Sequence, residues 1–164
     1  MRSLMILVLL LTGCGATHKL DGQYQPLEQI RESVLRPGEA ITTVGTTSYV
    51  SDLDEWLTKH PPGGPMYHAI LMHEREHSIR QKAYGTKSWV GRYLIDKDFM
   101  WAEEARGWYI QLKEYQRAGL QVNVPGVAKA LSDYRNFAGS MISYQNALTW
   151  VQDVLAGRWT PPEE

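Results

Sequence analysis

Residues 61–85 read Pro-Pro-Gly-Gly-Pro-Met-Tyr-His-Ala-Ile-Leu-Met-His-Glu-Arg-Glu-His-Ser-Ile-Arg-Gln-Lys-Ala-Tyr-Gly. The first five residues break regular structure, the next nineteen contain no Pro or Gly, and Gly85 stops the run, so this spacing predicts one uninterrupted helix over 66–84. Its inward stripe is expected to run through Met66, Ala69, Ile70, His73, His77 and Gln81. Two successive histidines on a core-facing stripe are unusual, and they fix the direction of the functional reading.

His73-Glu74-Arg75-Glu76-His77 has the form H-E-x-x-H. On a helix, positions four apart lie on one face, so His73 and His77 can turn two imidazole nitrogens toward a single ion. Glu74 lies beside them, where its carboxylate can hold a zinc-bound water whose pKa has been lowered to about 7. The competing reading is a solvated face, in which Glu74, Arg75, Glu76 and Arg80 make ion pairs at helical spacing. His18, His60 and His68 stand outside the motif and read as loop or packing residues.

A catalytic zinc site takes three protein ligands and keeps one open position. Residues 96–118 predict a second long helix, with an apolar stripe through Trp101, Ala105, Trp108, Leu112 and Tyr115. Glu104 lies on the shoulder of that stripe, where a buried carboxylate needs a partner such as a metal ion. Glu103, on a mixed face with Met100, Gly107 and Ile110, is the alternative third ligand. Gly107 allows close approach of another helix, and the plain alternative is that both glutamates are exposed.

With Glu104-Ala105-Arg106-Gly107 following the H-E-R-E-H stretch, the chain resembles the gluzincin class of zinc metallopeptidases. The resemblance covers about residues 66–112. It implies a hydrolase, most simply a peptidase, with His73, His77 and Glu104 as zinc ligands and Glu74 as general base. Trp108 stands where many gluzincins carry an Asp that orients a ligand histidine, so that support must come from elsewhere in this chain. Arg106, Tyr109 and Tyr67 are candidates for stabilising an oxyanion, with no motif to choose among them. The residues after His77 lack the third histidine of metzincins, which excludes that ligand set.

At the amino terminus, Met1-Arg2-Ser3 is followed by an apolar run over 4–11 and by Leu11-Thr12-Gly13-Cys14. The run is too short to span a bilayer as a helix but has the proportions of a secretory signal. Leu-Thr-Gly-Cys looks like a bacterial lipobox, which implies removal of residues 1–13 and lipidation of Cys14, the single cysteine. Gly15 in place of Asp implies the outer membrane where a host has two. Residues 14–25 then read as a lipidated tether, 26–159 as one metallopeptidase-like domain and 160–164 as a disordered tail. The expected partners are the membrane, through the lipid at Cys14, and a peptide or protein substrate in the cell envelope.

A formal net charge of −1, with no basic stripe, excludes nucleic acid as the expected partner. The 43% hydrophobic content, with six Trp and nine Tyr, places the chain among globular proteins. Helices are expected at 26–35, at 51–57 from Ser51 as N-cap, at 127–136 and at 140–155, with Met141, Tyr144, Leu148, Val151 and Leu155 facing the core. Residues 87–95 read as a short helix or an extended link. Residues 40–50, rich in Thr, Val, Ile and Tyr, are the β segment; the gluzincin resemblance implies an edge that aligns a substrate strand, and the alternative is a connector.

The expected fold is therefore mainly α with minor α+β character: a helical domain in which the H-E-x-x-H helix packs on a Glu-bearing helix beside one or two strands. Three functions fit this reading. They are a Zn2+-dependent hydrolase, a metal-binding lipoprotein without turnover, and an envelope adaptor in which the motif is coincidental.

Overall fold

The computed structural model describes residues 15–33 and 41–163, so the expected signal segment and Cys14 lie outside the described residues. The protein is mainly α with minor β, as six helices and two small sheets run along the described chain. Contacts divide it into two compact units, and the described residues 15–33 and 41–89 belong to one and 90–163 to the other. No helix of the described residues is long and apolar enough to cross a membrane.

The first unit is built on a four-stranded sheet of order β1-β2-β4-β3. Its strands are β1 (Thr17–Lys19), β2 (Gln29–Glu32), β3 (Thr42–Val44) and β4 (Thr47–Val50). β2 pairs antiparallel with β1 and parallel with β4, while β3 and β4 form a hairpin in which Thr43 faces Ser48. α1 (Leu53–Lys59) and α2 (Pro65–Tyr84) follow. Tyr24, Leu27, Ile30, Val50, Leu53, Trp56, Tyr67 and Leu71 form a continuous apolar core among these elements.

Two expectations fail in this unit. Residues 26–33 do not form a helix, although their Leu, Glu, Gln and Arg content favours one. Both backbone edges of residues 29–32 are taken by neighbouring strands, and tertiary pairing overrides a propensity of a few tenths of a kcal/mol per residue. Residues 16–25, read as a tether, instead supply β1 and a 3-10 turn at Gly22–Tyr24 that buries the Tyr24 ring. A Cβ on Gly15 would stand 2.5 Å from the Glu32 carbonyl oxygen, so this close approach itself calls for glycine.

α2 follows its predicted limits, with Pro65 in its first turn and Gly85 closing it at φ 81°. Met66, placed on the inward stripe by spacing, is exposed at the helix start. α1 is capped by Asp52, whose side chain accepts from the Glu55 N–H, one residue after the expected cap. α3 (Thr86–Ile95) and α4 (Lys97–Arg117) come next, with a single residue, Gly85 and then Asp96, before each. Asp96 caps α4 by accepting from the N–H groups of Asp98 and Phe99. Those bonds and the Arg92 guanidinium hold the Asp96 carboxyl below its ordinary pKa.

The second unit continues with α5 (Val124–Asp133) and α6 (Tyr144–Leu155). Residues 135, 136 and 140, expected at the facing ends of the two closing helices, belong instead to a hairpin of β5 (Arg135–Asn136) and β6 (Gly139–Ser140). Gly139 adopts φ 116°, which L side chains avoid, and the Asn136 amide donates to the Tyr93 carbonyl. The inward face of α6 is Ala147, Trp150, Val151 and Val154, while Tyr144 is exposed. Trp150 packs edge-on to Trp101 and Trp159, as expected of a packing residue. The tail is tied down at Pro162, whose carbonyl accepts from Arg106 at 2.8 Å.

One side chain locks α2 to the hairpin. Gln81, fully buried, accepts from the Gly45 N–H at 2.8 Å and donates to the Thr43 carbonyl at 2.9 Å. Ser78 adds a bond to the Gly45 carbonyl. Gln81→Ala should lower stability by about 2 kcal/mol or more, because two backbone groups lose their partner at about 1–3 kcal/mol each. Urea denaturation of the variant tests this, and a change within about 0.5 kcal/mol, as for an ordinary surface substitution, would contradict it.

Candidate metal centre

α2 carries His73, Glu74 and His77, all buried at 4–5% relative exposure. The solvated-face reading of this motif is therefore overturned. The two Nε2 atoms lie 3.0 Å apart and the rings meet at a steep angle with centroids 4.8 Å apart. Two nitrogens bound at 2.0–2.1 Å to a tetrahedral zinc would stand about 3.3 Å apart, so the pair is nearly in coordinating geometry.

α4 places both Glu103 and Glu104 inside, at 1% and 3% exposure. Its buried face runs through Met100, Glu103, Glu104, Gly107 and Gln111, along with Ala105 and Leu112. The predicted stripe is thus displaced, and Trp101, Trp108 and Tyr115 are only half-buried. Both glutamates are inside because α4 buries neighbouring faces at once, which a single-stripe pattern does not anticipate.

His73, His77 and Glu104 each offer one ligand atom, and these atoms all lie within 4.8 Å of one another. This buried group could hold a metal ion, and its carboxylate is Glu104 rather than Glu103. Two imidazoles and one carboxylate match the donor set of catalytic zinc sites. A buried carboxylate beside two imidazoles also has the composition that a divalent cation neutralises.

Three residues that no motif marks in the sequence support these groups. Thr43, on edge strand β3, donates from Oγ1 to Glu74 Oε2 at 2.6 Å and also bonds Ser48 Oγ. Tyr93, on α3, donates to Glu104 Oε1 at 2.5 Å, within the range of a charge-assisted O–H···O⁻ bond. Trp89, also on α3, meets the His77 ring edge-on with centroids 5.5 Å apart. The only signal for the last two was the apolar spacing of Trp89, Val90, Tyr93 and Leu94.

The residues weighed as oxyanion donors are engaged elsewhere. Tyr67 bonds His18 at 3.0 Å and packs on Tyr24 and Trp56, and burial pushes its pKa up to about 12. Arg106 binds the tail carbonyl of Pro162, and Tyr109 packs on Trp159. His18, His60 and His68 are packing residues as expected: His18 and His68 bond the hydroxyls of Tyr67 and Tyr24, and the His60 ring packs at a tilt against Trp56. At the β3 edge, Gln81 already occupies the Thr43 carbonyl, which blunts this end of the strand as a template for another chain.

No family model, curated protein or solved structure matches this chain.

Proposed function

We propose that this protein is a zinc-dependent hydrolase of amide bonds, most simply a peptidase, with His73, His77 and Glu104 as ligands and Glu74 as general base. The carrying observation is the buried His-His-Glu group adjoining, on the same helix, a buried glutamate held by a hydroxyl. A site serving only stability has no use for an extra buried carboxylate at that offset, since burying one costs several kcal/mol unless it is partnered. Bound there, zinc would polarise the scissile carbonyl and bring the pKa of a water near 7.

Glu74 would take a proton from the attacking water as its oxygen bonds to the carbonyl carbon. The same carboxyl would return that proton to the nitrogen as the carbon–nitrogen bond breaks, so acid and amine products balance. Thr43 keeps Glu74 in one rotamer by donating to Oε2. A metal-binding role without turnover is the second reading. It is favoured by the engagement of Tyr67, Arg106 and Tyr109 in other contacts.

Glu74→Gln separates the two. Hydrolysis of a peptide library should fall by about 10²-fold or more with bound zinc retained, as expected for loss of a general base. Activity equal to wild type in that variant would remove Glu74 from the mechanism. An absence of turnover in the wild-type protein on all such substrates would favour the non-catalytic reading.

We further propose, from the lipobox-like Leu11-Thr12-Gly13-Cys14, that the mature protein is anchored by a lipid on Cys14 and acts on peptides or proteins of the cell envelope. Cys14→Ser should move the protein from the membrane fraction to the soluble fraction and abolish labelling by a fatty acid. Unchanged labelling would refute the anchor.

A further inference from the structure

α3, read from the sequence as a short helix or an extended link, touches two of the three candidate ligands. Trp89 and Tyr93 are four residues apart and therefore share one face of this helix. Both are buried, at 5% and 8% exposure. Trp89 packs edge-on against the ring of His77, and Tyr93 donates its hydroxyl proton to Glu104 Oε1.

We infer that Trp89 and Tyr93 are positioning residues of the metal centre. They fix the ring orientation of one ligand and the carboxylate rotamer of another from a single turn of α3. This inference rests on the assignment of His73, His77 and Glu104 as a metal site.

The Tyr93 hydroxyl engages one carboxylate oxygen of Glu104, which holds the carboxyl in one rotamer and favours one-oxygen binding to a metal through the other. The Trp89 ring limits rotation of the His77 imidazole about its own axis, which an exposed histidine would keep. Tyr93 is itself anchored, since its carbonyl accepts from Asn136 Nδ2 at 2.9 Å and the next residue's carbonyl accepts from the Phe137 N–H at 2.9 Å. The β5–β6 hairpin thereby fixes the end of α3 that carries the tyrosine.

The test uses the full chain, with zinc affinity measured by competition against a chromogenic chelator and the visible spectrum recorded after cobalt substitution. Tyr93→Phe removes one hydroxyl and leaves the ring. It should weaken zinc binding by about 10- to 100-fold, as loss of a partner behind a ligand does, and should alter the cobalt spectrum. Tyr115→Phe removes a hydroxyl from the Glu104 helix at a site bonded to Gln111, and should leave both readouts unchanged.

Thermal unfolding in EDTA reports on packing apart from metal. Tyr93→Phe should match wild type there to within a few degrees. Should that variant be poorly folded, Trp89→Phe supplies the same test from the side of His77. Wild-type zinc binding at one equivalent, with unchanged affinity and cobalt spectrum in both the Tyr93 and Trp89 variants, would overturn the positioning role while leaving the metal site intact. Failure of the wild-type protein to bind zinc would overturn the metal site, and the positioning role with it.

Discussion

A buried carboxylate beside two buried imidazoles is the constraint on which the rest depends. His73, His77 and Glu104 are each at least 95% shielded from water, and their ligand atoms gather within 4.8 Å. An ionised carboxylate held away from water is costly unless hydrogen bonds and a counter-charge compensate it. Tyr93 supplies the hydrogen bond, and a divalent cation bound to the three groups would supply the charge. An apolar core of the same volume is often as stable, so stability alone does not account for this arrangement.

The polar face of α2 serves a second purpose. Glu74, Ser78 and Gln81 recur at intervals of three or four residues, and each bonds the β3–β4 hairpin, through Thr43 Oγ1, the Gly45 carbonyl and the Gly45 and Thr43 backbones respectively. The hairpin fixes the proposed base and is itself fixed two turns along the helix by Gln81. Thr43 stands at both ends of this arrangement, with its side chain on Glu74 and its carbonyl on Gln81. An amphipathic pattern based on hydrophobicity alone misses such a face, because its contacts are hydrogen bonds rather than apolar burial.

The parts of the protein that were legible in the sequence depend on local information. α2 lies between a Pro-Gly cluster and Gly85, and the spacing of His73 and His77 needs only helical geometry to bring their nitrogens together. β3 and β4 follow from a Thr- and Val-rich run with a Gly turn. Glu104 was within reach because a carboxylate near an apolar stripe asks for a partner. The rest required partners distant in sequence. Residues 29–32 are a strand only because β1 and β4 flank them, and residues 135–140 are a hairpin tied to α3 through Asn136. Tyr93 and Trp89 gain meaning only once their contacts with Glu104 and His77 are known. α4 buries adjoining faces through Met100, Glu103, Glu104, Gly107 and Gln111, so its tryptophans did not mark its most buried stripe.

X-ray absorption at the zinc edge, on the full chain loaded with one equivalent of zinc, tests the central claim most directly. The account predicts two imidazole nitrogens at about 2.0–2.1 Å and oxygen ligands at about 2.0–2.2 Å, with no sulfur near 2.3 Å. A shell of oxygens without imidazole scattering, as from adventitious surface binding, would contradict it.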